Sequence, residues 1–427
     1  MFVRRMEQSP PPWKKTLRYA ALTDVGLRRA NNQDSHAVVA AGTDARWNDR
    51  GHLFVVADGM GAHAAGEVAS KFATETITQS YLRRKNELPH QAIAGAVYDA
   101  HRFIREKSAQ EEAFRDMGTT VDALLILPQG ALIAHVGDSR VYRLRGQVLE
   151  QMTFDHSLVW EVCMATNLSF DKAPSYIPKN QITRSLGPTE NLKVDLEGLF
   201  PVLLGDTFLL CSDGLSGQVS DHEIGQILGV FPPDLAVETL VNLANLRGGP
   251  DNITVIVVNA VPTPPGEPEP VDDDTIPLIG WGALGLSFLG LLSFGFSFVS
   301  GMLSLWIVSL IATIVFCAIF IGLSAKTLFR SSPYADGIAP FGKGPYTRTR
   351  CVPDPEFVEK LTVILHELRQ ATRNDRWFVE SNEADHAEEE GKAAVRRQDT
   401  PEAVRQFALA INHLMRELKR VSAHRKK

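Results

Sequence analysis

Cysteine is scarce in this 427-residue chain, which has only Cys163, Cys211, Cys317 and Cys351, with no paired spacing. A reduced, cytosolic setting fits this better than a disulfide framework. There is no Cys-x-x-Cys and no His-x-x-x-His, so the usual ligand spacings of zinc sites are missing too. The opening stretch MFVRRMEQSPPPWKK lacks an apolar core of signal-peptide length, and residues 1–260 are expected not to be exported. Basic charge is short over most of the chain. Residues 326–427 hold 19 Lys/Arg and 15 Asp/Glu, whereas the rest holds 25 and 35. So acidic a body argues against a nucleic-acid partner, because phosphate backbones reward clustered Lys and Arg. From Thr275 to Ala325 charge is absent altogether, for 51 residues.

What is present describes a folded protein, with 44% apolar and 22% charged residues. Strand-like runs occur at 19–23, 36–40, 53–57, 123–127, 132–136, 141–144, 207–211 and 253–258. Leu127-Pro128-Gln129-Gly130 reads as a hairpin turn. Helical periodicity is seen at 65–83, 89–110, 157–165, 221–228 and 234–246, with Ser220-x-x-Glu223 as a capping box. Neighbouring hairpin strands followed by pairs of helices predict an α+β sandwich rather than a βαβ repeat.

The proline-rich, acidic stretch 262–275 cannot bury a core and reads as an extended spacer. The charge-free run has the length of two membrane-spanning helices and a tight turn, assigned here to 276–325. Ser293, Ser297 and Gly301 give it a small-residue ridge along which two helices can approach closely. Lys326, Arg330, Lys343, Arg348 and Arg350 follow and predict a cytoplasmic flank, so 326–355 reads as a basic juxtamembrane loop. Residues 356–427 read as a helical region, with apolar periodicity at Phe357, Leu361, Leu365, Val404, Phe407, Ile411 and Leu414. A small amphipathic all-α bundle, able to bind proteins, is the expectation there.

Chemistry is suggested by four aspartates, Asp58, Asp138, Asp213 and Asp251. Their contexts are LFVVADGMGAH, LIAHVGDSRVY, TFLLCSDGLSG and GGPDNITVIVV. Each lies at a Gly, Ser or Asn turn at one end of an apolar strand. One Asp-Gly is most often an ordinary turn. Four at strand ends point to a hard divalent cation held by oxygen ligands, magnesium or manganese rather than zinc. Arg29, five residues before Asp34, is the candidate for holding an anionic substrate.

Eight stretches then fix a resemblance: RANNQDS (29–35), VVADGMGAHAAGE (55–67), MGTT (117–120), HVGDSRVYRLR (135–145), TFDHS (153–157), ITRSLG (182–187), LLCSDGLSG (209–217) and GGPDNITVIVV (248–258). In that order the chain resembles the bacterial metal-dependent protein serine/threonine phosphatases of type 2C, over a domain at 18–261 behind an N-terminal segment at 1–17. The resemblance implies an αββα sandwich of two mainly antiparallel sheets flanked by helices. It implies two Mn²⁺ or Mg²⁺ ions bridged by Asp58, with Gly59 lending its carbonyl to the second. Asp213 and Asp251 would complete the first ion's shell, Asp34 would act through metal-bound waters, and Asp138 with Asp213 would hold a third ion. Arg29 would bind the phosphate of a phosphorylated protein, and a hydroxide bridging the ions would attack phosphorus directly. His63 would protonate the leaving oxygen, a role weighed against that of a helix-start histidine bonded to backbone. Gln33 stands where many relatives have Glu, so the second ion loses an anionic neighbour. Residues 155–187 would form a flap in which Trp160, Asn167 and Tyr176 either touch substrate or pack. Asn252 reads as a turn residue orienting Asp251. The expectation for the whole is a phosphatase tethered to the bacterial inner membrane by two spans, or by one span plus a re-entrant segment, its catalytic domain and tail in the cytoplasm; the alternative is a catalytically weak phosphoprotein-binding or scaffold protein on the same fold.

Overall fold

The computed structural model describes residues 17–61, 65–166, 168, 177–178, 181–260, 341–374 and 381–425. The chain divides into two compact units. One joins Met1–Pro262 with Pro340–Lys427; the other is Thr263–Ala339, none of whose residues is among those described. The expected spans therefore lie outside the described residues. Among the described residues no helix is long and apolar enough to cross a membrane.

Two antiparallel sheets form the centre. The first contains β1 (Leu17–Asp24), β7 (Arg140–Arg145), β8 (Val148–Gln151), β10 (Thr207–Cys211), β11 (Ile253–Ala260) and β12 (Thr347–Arg350), in the order β1-β11-β10-β7-β8-β12. The second contains β2 (Asp34–Val39), β3 (His52–Met60), β5 (Val121–Leu127), β6 (Gly130–Val136) and β9 (Asp195–Phe200), in the order β2-β3-β5-β6-β9, and the short β4 (Gly118–Thr119) pairs with β3. Pro128 and Gln129 connect β5 to β6, whose Leu127 and Gly130 pair as the turn reading predicts.

Every residue of β5 and β6 is buried. Such near-continuous apolar strands need cover on both faces. On one face Phe54, Val56, Leu124 and Ile133 meet Phe208, Leu210, Ile256 and Val258 of the other sheet. On the opposite face Val55, Leu125 and Leu132 pack under α2 (Ala65–Arg83) and α3 (Pro89–Gln110). The first sheet is covered by α6 (Asp221–Val230) and α7 (Pro233–Leu246). The result is four layers, helix–sheet–sheet–helix. Ser220 caps α6 through the Glu223 N–H while the Glu223 side chain returns to the Ser220 N–H, the capping box read in the sequence.

The C-terminal residues belong to the same body. Residues 347–350, expected inside a loop, form β12 and extend the first sheet by pairing with β8. A four-residue TRTR strand has no apolar run to betray it; its partner edge creates it. Three helices follow: α8 (Pro355–Asn374), α9 (Asn382–Arg396) and α10 (Thr400–Arg425). Phe357, Leu361, Leu365, Val404, Phe407, Ile411 and Leu414, the periodic set of the sequence, share one buried core with Ile224, Ile227, Leu240 and Val241 of α6 and α7. Burial of each such side chain contributes about 1.5–3 kcal/mol. Two buried amides lock the contact: Asn242 Nδ2 donates to Asn412 Oδ1 (2.9 Å), and Asn412 Nδ2 donates to Thr239 Oγ1 (2.8 Å). Arg416 pairs with Glu238 nearby, and Lys419 Nζ lies 3.2 Å from Asp24 Oδ2.

Candidate metal centre

The five acidic positions come from five different chain segments. Asp34 opens β2 and stands opposite Asp58 of β3 in the ladder. Asp138 follows the end of β6, Asp213 follows β10 at the start of the one-turn α5 (Asp213–Ser216), and Asp251 precedes β11. They converge electrostatically on Asp58, whose carboxyl is held well above the ordinary carboxylate range, first by burial and then by repulsion from Asp34, Asp213, Asp138 and Asp251. Burial, opposed by the Ser212 hydroxyl, raises Asp34 to about 7. Burial and then Asp213 raise Asp138 to about 7. Asp213 is raised by burial and then by repulsion from Asp251.

Backbone and hydroxyl contacts fix these positions. The Asp58 N–H donates to Thr120 Oγ1 (3.0 Å), while its carbonyl accepts from the Thr120 N–H (2.9 Å) and the Thr119 hydroxyl (2.8 Å). Thr120 Oγ1 in turn lies 2.8 Å from Ser139 Oγ, beside Asp138. Ser212 Oγ donates to Asp34 Oδ2 (2.7 Å) and accepts from the Thr254 N–H (3.0 Å), joining the two sheets at the site. Gly59 must be glycine. Its N–H donates to the Gln33 carbonyl (3.0 Å), and a β-carbon there would run into the Gly66 carbonyl oxygen.

Arg29 sits on the loop between β1 and β2, half exposed, and its Nη2 donates to Asp251 Oδ2 at 2.7 Å. That loop is pinned by Asn252, whose Nδ2 donates to the carbonyls of Val25 (2.9 Å) and Asn31 (3.0 Å) and whose Oδ1 accepts from the Gln33 N–H (2.8 Å). The Asn252 N–H also donates to Asp251 Oδ1 (2.9 Å), the orienting contact expected of it. Its larger part, holding the Arg29 loop, was not legible in the sequence. Ser212 and Thr120 were also missed as site residues, although each lies in a motif, CSDG or MGTT.

His63 lies outside the described residues, as do Asn167 and Tyr176 of the expected flap. Trp160 packs: it is buried on α4 (Leu158–Thr166), edge-on to Phe154 with ring centres 5.3 Å apart.

The donor set suits a hard divalent cation, being all oxygen and strongly anionic. Two of its atoms lack any other use: Asp34 Oδ1 and Asp138 Oδ1 are buried with no hydrogen-bond partner. As they stand, no three His, Cys, Asp or Glu side chains among the described residues form a closed metal cage. The residues fit the group.

Known proteins agree with this architecture. A family profile described as protein phosphatase 2C matches residues 28–238. Protein phosphatase PhpP of Streptococcus pneumoniae is 38% identical over 246 residues, covering 56% of this chain and 95% of that protein. Serine/threonine phosphatase stp of Listeria monocytogenes is 34% identical over 241 residues, 55% of this chain and 93% of that protein. Among solved structures, Mycobacterium tuberculosis serine/threonine phosphatase PstP/Ppp superposes with a TM-score of 0.51 at 35% identity, over 58% of this chain and 99% of its own. With 95% of a 38%-identical relative covered and the same two-sheet fold, the chain belongs to the protein phosphatase 2C family.

Proposed function

We propose that this chain is a protein serine/threonine phosphatase that removes phosphate from phosphoserine or phosphothreonine with manganese or magnesium. The observation that carries this is the convergence of Asp34, Asp138, Asp213 and Asp251 on Asp58, with two buried carboxylate oxygens left without partners. Asp58, Asp213 and Asp251 would hold the core ions with the Gly59 carbonyl, Asp34 would support them, and Asp138 with Asp213 would hold a third. Bound divalent ions would supply an activated water and counter-charge for a phosphoryl group. The chain's own residues do the rest. Arg29 stands exposed at the mouth, where its guanidinium can leave Asp251 for the oxygens of an incoming phosphate. Ser212 and Thr120 fix Asp34 and Asp58 so that neither must reorganise.

Membrane tethering is the second part of the reading. It rests on the 51 charge-free residues and the basic residues that follow. Ala260 and Phe341 both belong to one folded unit, which supports an even number of spans, because both ends of the intervening segment must emerge on one side. That side would be the cytoplasm of a bacterial cell. The test of function is release of phosphate from a phosphothreonine peptide by the whole protein with Mn²⁺. The test of tethering is resistance of the chain to extraction from membranes by alkaline carbonate.

A further inference from the structure

Leu203 and Leu204 are 47% and 52% exposed, side by side on a surface turn of the first unit. The turn is rigid. Asp206 Oδ2 accepts from the Leu203 N–H (2.8 Å), the Asp206 N–H donates to the Leu203 carbonyl (3.0 Å), and Gly205 takes φ 87° to close it. Asp206 is itself buried and neutralised by Arg145 at 2.7 Å. Nothing in the turn requires two leucines in water; they border a groove with Leu228, Phe231 and Arg405, and about half of each stays exposed.

Their place in the fold gives the pair a meaning. The Gly205 N–H donates to the carbonyl of Ala260 (2.7 Å), the last described residue before the charge-free region. The Gly198 N–H donates to the carbonyl of Phe341 (3.0 Å), the first described residue after it. The chain thus leaves and re-enters this unit at two points tied to one short segment. Gly198 and Gly205 are seven steps apart along the chain, a reach of at most about 25 Å. Leu203 and Leu204 lie between the two exits. Exposed cations stand near the two exits: Arg18, paired in the ladder with Asn259 next to Ala260, and Lys343, two residues beyond Phe341. Paired leucines with a basic surround suit the boundary of a bilayer bearing anionic headgroups.

We propose that the Pro201–Gly205 turn is a membrane-contact surface, inserting Leu203 and Leu204 at the headgroup–acyl boundary. This rests on the tethering reading above. Residues 262–275 and 326–340 are long enough to let the unit float, so the tether by itself fixes no orientation. It does hold the turn at high local concentration near lipid, where a weak apolar contact suffices. The register then sets what faces away. Ala260 pairs with Leu17 at one end of the ladder, and Ile253 pairs with Asp24 at the other, beside Asp251. Seven strand steps at about 3.4 Å place the metal centre about 24 Å from the contact surface. Substrates would therefore be phosphorylated protein segments standing clear of the bilayer, not phosphates in the headgroup plane.

The experiment uses the full chain in phosphatidylglycerol-containing vesicles with doxyl-labelled lipid, in a Cys317→Ser background whose other cysteines are buried. An environment-sensitive dye is attached at Leu204→Cys or at Leu27→Cys. Leu27 is 68% exposed at the metal-centre end. The expected result is quenching several-fold stronger at 204 than at 27, falling to the level of 27 when Leu203→Asp is added. Equal quenching at both positions in a chain that resists carbonate would overturn this inference alone. Extraction of the chain by carbonate would overturn the tethering reading and this inference with it.

Discussion

Asp34 and Asp58 face each other across antiparallel strands β2 and β3, two carboxylates in register with one oxygen of Asp34 buried and unpartnered. Like charges directly opposed destabilise a sheet unless something neutralises them. Here the neutralising group is expected to be a divalent cation, so metal and fold should be linked.

Chelation should therefore lower thermal stability, and Mn²⁺ should restore it in a concentration-dependent way. At one hundred times the dissociation constant the gain is about 2.7 kcal/mol for one site. Scanning calorimetry with EDTA and with rising Mn²⁺ checks this. Asp58→Asn should remove most of the Mn²⁺-dependent shift, and an equal shift in wild type and Asp58→Asn would contradict the site.

Arg29 and Asp251 form an ion pair of 2.7 Å at the mouth of the cluster. Arg29→Ala should raise KM for a phosphopeptide and lower kcat/KM by about 10- to 100-fold, the loss of a charged hydrogen bond worth roughly 1.5–3 kcal/mol. Arg29→Lys should recover little, because a point charge cannot bind a phosphate bidentately. Steady-state kinetics on both variants decides; an unchanged KM would remove Arg29 from substrate binding.

The tail helices are expected to stabilise the catalytic body, because Phe357 is fully buried against α6 and α7. Phe357→Ala should cost about 3–5 kcal/mol and lower the melting temperature of the catalytic unit itself. Asn412→Ala should cost about 1–3 kcal/mol by stranding the buried Asn242 amide. Thermal melts of the whole protein, followed by phosphatase activity, measure both. Loss of tail signal with the catalytic transition unmoved would show two independent modules.

His52 gives the fold an acid-sensitive point away from the site. Its Nδ1 accepts the Ala41 N–H (3.0 Å) and its ring lies 5.0 Å from Trp47, so burial holds its pKa down at about 4 against 6.5 unfolded. Between those values only the unfolded chain binds the proton, so stability falls as pH drops from about 6.5 to about 4 and levels off below. The contribution is at most on the order of 3 kcal/mol. Denaturant midpoints at pH 7.5 and 5 in Mn²⁺ should differ less for His52→Gln, whose amide oxygen can still accept from Ala41.

Much of this was readable in the chain because the signals were local. Apolar strands such as 123–127 and 132–136 and the Ser220–Glu223 capping box declare themselves over a few residues. So do the aspartates at strand ends, which the fold brings together around Asp58. What escaped depends on distant partners. β12 exists because β8 offers an open edge, and Asn252 holds the Arg29 loop across more than 200 residues of sequence. The periodicity of α8 and α10 announced an apolar face but not that α6 and α7 would receive it.

The most direct test of the metal centre is phosphate release from a phosphothreonine peptide by the full-length protein. Rates are compared for wild type and Asp58→Asn, each with Mn²⁺ and with EDTA. Turnover only for wild type in Mn²⁺, abolished by EDTA and reduced by orders of magnitude in Asp58→Asn, is the expected result. Equal rates in all four conditions would contradict a catalytic role for the carboxylate cluster.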